Sequence, residues 1–165
     1  MVSIGILGLG NWGSAIAKMW LDDGHKVKGW TIESEVYESI TMENINHKYL
    51  PKLSLKGMDV SMHIADTLDG VEVVVLAVPS SVILDVVDQL IPHLRPRHVI
   101  IDLAKGLAPG NQMISHAIQE KLTAAGMANP LAVVTGPTIA PEAAAGVMTT
   151  ALVASEDVSV AKKLA

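Results

Sequence analysis

Two groups of residues in this chain could do chemistry by their type and spacing. The first is Gly8-Leu9-Gly10-Asn11-Trp12-Gly13, a G-x-G-x-x-G string. Alone the string is weak, but here an apolar run ends at Leu7 and a helical pattern opens at Trp12. In such a strand–turn–helix the first glycine allows the tight bend and the second lets a pyrophosphate approach the backbone. The third lets helix and sheet pack closely, while free N–H groups at the helix start supply positive potential. The second group is Glu33, 20 positions after Gly13. A carboxylate there accepts hydrogen bonds from ribose hydroxyls and repels a 2′-phosphate. No Arg or Lys follows closely in Trp30-Thr31-Ile32-Glu33-Ser34-Glu35, which favours NAD over NADP. Glu35 competes with Glu33 for the role, and a solvated carboxylate at a helix start would explain either. The six histidines, at 25, 47, 63, 93, 98 and 116, show no ligand spacing and argue against a metal. His25 reads as a turn residue.

These residues must be positioned by an alternation of short β-branched runs with longer stretches of helical period. The predicted strands are 2–7, 26–30, 60–62, 71–77, 98–102 and 131–135. The predicted helices are 12–22, 35–43, 82–94 and 112–125, with Gly24 as a left-handed terminator of the first and Asn111 as the cap of the last. The rhythm predicts an α/β, doubly wound, parallel-sheet domain. Right-handed crossovers place every strand-to-helix loop at one sheet edge, where ligands bind. Gly8 to Gly13, Thr31 to Glu33, Val78 to Ser81 and Lys105-Gly106 all fall there. Residues 148–154 read as one more strand, and 156–165 as a helix capped by Ser155. The pattern carries no stop signal at Ala165, so a truncation is expected there.

Composition is consistent with this class. The chain has 165 residues, half of them apolar, with no Phe, so Val, Ile, Leu, Met and Ala must form the core. The eight methionines are scattered, as core filling would scatter them. A net charge of −5 gives no footprint for nucleic acid. Cysteine is absent, so neither a disulfide framework nor a thiolate metal site is available. There is no basic leader and no apolar run of membrane-spanning length, so a cytoplasmic protein with no membrane partner is expected.

Further segments narrow the reading. They are Gly10-Asn11-Trp12-Gly13-Ser14-Ala15-Ile16-Ala17-Lys18, Tyr49-Leu50-Pro51, Val78-Pro79, Lys105-Gly106 and Gly136-Pro137-Thr138-Ile139-Ala140-Pro141-Glu142. In this order they resemble the NAD(P)-dependent glycerol-3-phosphate dehydrogenases, over nearly the whole chain. The resemblance implies a Rossmann cofactor domain from an oxidoreductase that interconverts sn-glycerol 3-phosphate and dihydroxyacetone phosphate and feeds phospholipid synthesis.

It also implies roles. Gly8, Gly10, Asn11, Trp12 and Gly13 would hold the cofactor pyrophosphate. Ile32, apolar where a basic residue would hold the NADPH phosphate, points with Glu33 to NADH. Pro79 and Val82 would lie beside the cofactor, as would Ala140. Lys105 would reach both nicotinamide and substrate, where an ammonium stabilises the substrate phosphate and the developing alkoxide. Gly136 and Thr138 would help bind the phosphorylated substrate, although Thr138 is equally suited to cap a helix. Pro141 and Val147-Met148 depart from the family pattern, which affects subfamily rather than function.

The resemblance implies that the family's proton-transferring lysine and its phosphate-gripping Arg-Asn pair belong to a helical second domain, expected to lie beyond these 165 residues. The expectation is therefore cofactor binding with little turnover, with a homodimer left open for the complete protein. Two rivals remain at this stage. One is a two-domain dehydrogenase for a hydroxy acid or a ketopantoate-like substrate; the other is a stand-alone NADH-binding module without chemistry.

Overall fold

Short runs of Val and Ile become strands and the longer amphipathic stretches between them become helices. The computed structural model describes residues 1–136, 139–148 and 150–164. In chain order these are β1 (Ser3–Leu7), α1 (Asn11–Asp22), β2 (Lys26–Trp30), α2 (Ser34–Glu43), β3 (Ile45–Asn46), β4 (Leu50–Ser54) and β5 (Asp59–Ser61). Then follow α3 (Ile64–Leu68), β6 (Val73–Leu76), α4 (Ile83–Leu90), β7 (Val99–Asp102), β8 (Leu107–Ala108), β9 (Gln112–Met113) and α5 (Ile114–Ala124). The chain closes with β10 (Leu131–Thr135), α6 (Ala140–Ala144), β11 (Leu152–Ser155) and α7 (Val158–Leu164).

Seven strands form one sheet in the order β11-β10-β7-β6-β1-β2-β5. Every neighbouring pair is parallel except β10 with β11. From β1 the chain moves outward to β2 and later returns on the other side to β6. That reversal leaves a crevice at the carboxyl ends of β1 and β6, the place where doubly wound sheets take ligands.

Both faces of the sheet are covered. Side chains alternate along a strand, so Val74 and Leu76 of β6 enter one apolar cluster while Val73 and Val75 enter the other. The first cluster is roofed by α3, α4 and α5 through Leu68, Val87, Leu90, Ile118 and Leu122. The second is roofed by α1 and α2 through Ala15, Ile16, Val36 and Ile40. Each fully buried Leu or Ile is worth roughly 1.5–3 kcal/mol relative to exposure.

The structure corrects several sequence expectations at element ends. The predicted helix 82–94 stops at Leu90 and tightens into a 3-10 turn over Ile91–His93, because Pro92 has no N–H to continue the ladder. The predicted helix 112–125 starts only at Ile114, because Gln112 and Met113 pair with Ala108 and Leu107 as an antiparallel ribbon. Asn111 does not cap that helix; it and Gly110 take positive φ (60° and 78°) in the ribbon's turn.

The strand expected over 148–154 begins at Leu152. Ser155 does not cap the helix, which starts only at Val158: it ends β11, and its hydroxyl donates to the Leu131 carbonyl (2.7 Å) and accepts from the Asp157 N–H (3.3 Å) in the turn between them. Asp157 caps the helix, accepting from the Ser159 backbone N–H at 2.8 Å. Gly24 does end α1, with φ +80° and the His25 N–H returning to the Trp20 carbonyl. The His25 ring also accepts from the Val2 N–H.

Candidate functional site

A cleft of about 1090 Å³ opens at the carboxyl ends of β1, β2, β6 and β7. Its floor is the turn between β1 and α1. Gly8 has φ +105°, and a Cβ there would stand 2.8 Å from the Ala77 carbonyl oxygen. A Cβ on Gly13 would fall 1.9 Å from the Gly8 carbonyl oxygen, so helix and turn touch backbone to backbone. Gly10 is the reverse case, because a Cβ there would meet nothing within 4 Å. The open side of Gly10 is the cleft. No side chain caps α1, so its leading N–H groups are unengaged by side chains where Gly10, Asn11 and Trp12 form the wall. A pyrophosphate fits this arrangement of open glycine backbone and positive helix end.

Ten of the residues predicted to hold the cofactor line this one cleft: Gly8, Gly10, Asn11, Trp12, Ile32, Glu33, Pro79, Val82, Lys105 and Ala140. Gly13 lies behind the turn, packed on Gly8. Of the residues expected to bind substrate, Lys105 lines the cleft and Gly136 does not. Gly136 closes β10, where a Cβ would stand 2.8 Å from the Thr150 carbonyl oxygen. Thr138 lies outside the described residues.

At the far end of the cleft, side chains take over from backbone. Glu33 is the flanking residue of α2 but makes no capping bond with its side chain. Its carboxylate instead accepts from the Lys48 ammonium (2.5 Å) and the Tyr49 hydroxyl (2.9 Å). The Lys48 hydrogen bond, reinforced by that of Tyr49, holds the Glu33 carboxyl below the usual range. Donation to Glu33 pushes the Tyr49 hydroxyl up. Lys48 also pairs with Glu35. Ile32 is 73 % exposed beside this group. No Arg or Lys follows Trp30 closely in sequence, yet the turn between β3 and β4 brings Lys48 to Glu33 in space.

That turn is pinned by Asn46, which is fully buried. Its Nδ2 donates to the Leu9 carbonyl and to the Ser14 hydroxyl, each at 2.9 Å. Its Oδ1 accepts from the Tyr49 N–H at 3.1 Å. One amide thus joins the glycine turn to the strand pair that carries Lys48 and Tyr49. Sequence reading missed these residues as a site. The only signal was the string Asn46-His47-Lys48-Tyr49 itself, with nothing in it to show which groups it meets.

The remaining wall follows β6 and β7. Val78-Pro79 leaves β6 toward the cleft, and Lys105 follows β7, exposed, with its Nζ 5.9 Å from the Trp12 ring centroid. Asp102, at the end of β7, is 2 % exposed. Burial pushes its carboxyl up to about 6, and it accepts a hydrogen bond from the Ala104 N–H at 2.8 Å. That bond shapes the bend from which Lys105 leaves the sheet. Among the described residues, no three His, Asp or Glu side chains converge as a metal site. No helix among them is long and apolar enough to cross a membrane.

The family model described as NAD-dependent glycerol-3-phosphate dehydrogenase N-terminus matches residues 3–161. The chain belongs to that family. It corresponds to the family's N-terminal NAD-binding domain, and its sheet is of the Rossmann type. A glycerol-3-phosphate dehydrogenase (NAD(P)+) of Corynebacterium urealyticum is 33 % identical over 95 % of this chain and 47 % of its own length. One from Syntrophotalea carbinolica is 32 % identical over 98 % of this chain and 49 % of its own. The crystal structure of the Coxiella burnetii glycerol-3-phosphate dehydrogenase superposes with a TM-score of 0.90 at 30 % identity, covering 99 % of this chain and 49 % of that one. The chain therefore spans about half the length of the relatives it matches.

Proposed function

We propose that this chain binds NAD(H) across the cleft and serves the interconversion of sn-glycerol 3-phosphate and dihydroxyacetone phosphate. The observation that carries the reading is the backbone contact of Gly13 with Gly8 beside an open Gly10, all under an uncapped helix start. This arrangement suits a pyrophosphate and leaves the turn few other uses. The family supplies the reaction, and the cleft supplies the means for half of it.

In this reading the dinucleotide, when bound, supplies or accepts the hydride. Gly8, Gly10, Asn11 and Trp12 hold its pyrophosphate against the start of α1. Glu33 accepts from the adenosine ribose hydroxyls on lone pairs left free by Lys48 and Tyr49. Pro79, Val82 and Ala140 form the apolar wall that keeps water from the nicotinamide side. Lys105 places positive charge where a phosphorylated ketone carries its phosphate and its developing alkoxide. Gly136 and Thr138 belong to the substrate side of the same proposal.

The acid Glu33 and the apolar Ile32 favour NADH over NADPH. Among the described residues, the ionisable side chains lining the cleft are Glu33, Tyr49, Asp85 and Lys105. Of these, the family resemblance assigns only Lys105 to the substrate, in keeping with the proposal of binding with little turnover by these 165 residues.

Calorimetric titration with NADH and, separately, NADPH tests the reading. NADH is expected to bind at least about tenfold tighter, or about 1.4 kcal/mol. Equal or reversed preference removes the cofactor choice, and binding of neither at millimolar concentration removes the proposed site. Steady-state turnover near the enzyme median of about 10 s⁻¹ would remove the low-turnover proposal alone.

A further inference from the structure

The corner around Glu33 holds more charge than its place in the cleft requires. Three ionic side chains meet there: Glu33 and Glu35 from the start of α2, and Lys48 from the turn between β3 and β4. Their charges sum to −1. Glu33 and Tyr49 line the cleft, and Lys48 stands one hydrogen bond behind that wall, on the Glu33 oxygen that Tyr49 does not use. Its ammonium sits on a flexible four-carbon stem, and the turn that carries it is anchored through the buried Asn46. The base of Lys48 is therefore fixed, while its charged end can move between neighbouring anions.

We propose that Lys48 is a specificity-determining residue that limits how strongly this cleft rejects a dinucleotide bearing a 2′-phosphate. The inference rests on the dinucleotide reading above and deepens it. With Lys48 in place, a 2′-phosphate of charge about −1.5 to −2 meets one excess negative charge and a cation able to turn toward it. Without Lys48, the same phosphate meets two uncompensated carboxylates. The 2′-hydroxyl of NADH is neutral, and its interaction with Glu33 uses lone pairs that Lys48 leaves free. Discrimination thus comes from the Glu33–Lys48 pair, and the carboxylate by itself overstates it.

The test is titration of the unsubstituted chain, Lys48→Met and Lys48→Arg with NADH and with NADPH. Methionine keeps the apolar stem and removes the charge; arginine restores the charge. Lys48→Met is expected to weaken NADPH about fivefold, the scale of one exposed ion pair, and NADH by less than about twofold. Lys48→Arg is expected to return the NADPH value close to that of the unsubstituted chain. A purely structural role for Lys48 would lower both affinities together, so the NADH-to-NADPH ratio is the deciding quantity. An unchanged ratio in Lys48→Met, with NADH still bound, overturns this proposal and leaves the dinucleotide site standing. Binding of neither dinucleotide by the unsubstituted chain overturns both.

Discussion

The two ends of the cleft are built on different principles. At the glycine turn the contacts are backbone to backbone, local in sequence, and without slack: Gly13 touches Gly8 at a distance that no Cβ permits. At the Glu33 corner the contacts are between side chains from α2 and the β3–β4 strand pair, 13 to 16 positions apart in sequence, and largely exposed. Sterics govern the first end and electrostatics the second. Substitution should therefore fail abruptly at the turn and act by degrees at the corner.

The sharpest probe of that contrast is Gly13→Ala. Its methyl group must displace the Gly8 carbonyl or the helix, an overpacking cost of about 3 kcal/mol, and thermal unfolding should show it together with lost dinucleotide binding. Gly10→Ala is the control, with open space at its Cβ. Its stability should stay within about 0.5 kcal/mol, while affinity falls about tenfold because the methyl occupies the pyrophosphate's path. Equal melting temperatures for the two variants would break the comparison.

Asn46→Ala asks whether the ends are coupled. Removing a buried, fully engaged amide should cost about 2 kcal/mol in denaturant unfolding. It should also weaken both NADH and NADPH, since the corner loses its tie to the turn. Normal binding in a destabilised variant would show the two ends to be independent.

The smallest effect concerns the third wall and is read against pH. Burial raises the Asp102 carboxyl to about 6 in the fold, from 3.8 for the free group. The native chain then binds more protons than the unfolded chain between these values, so stability falls as pH rises from about 4 to about 6. Above that window the penalty is complete. Asp102→Asn should therefore be more stable than the unsubstituted chain at pH 7, by about 1–2 kcal/mol, and no more stable below pH ~4. Urea unfolding at both pH values checks it, and a gain that persists at low pH would sink the burial argument.

Legibility in the sequence follows the same division. The strands 26–30 and 131–135 coincide with β2 and β10, and the glycine turn was readable because its physics is local: tight bend, close approach, helix start. Glu33 was readable by its spacing. Boundaries failed where a neighbour overrode the local pattern, as when the ribbon of β8 and β9 took Gln112 and Met113 from the helix. The β3–β4 pair, α3 and α6 are too short for their periodicity to register. Lys48 and Tyr49 could not be placed at Glu33 because no local rule predicts which turn a strand pair will lay beside a helix start. The resemblance to the family named Tyr49-Leu50-Pro51, next to Lys48, without showing what that segment touches.

The buried amide of Asn46, which ties the β3–β4 turn to the glycine turn, bears on how such a domain changes over evolutionary time. In the proposed reading, coenzyme preference rests on Glu33 and Glu35 at the start of α2 and Lys48 in the β3–β4 turn, all three outside the two apolar clusters. Exchanges at positions 33, 35 and 48 are then expected to retune coenzyme choice without disturbing the packed sheet or the glycine turn. On that reading, a change of coenzyme calls for few substitutions, all of them at side chains outside the buried core.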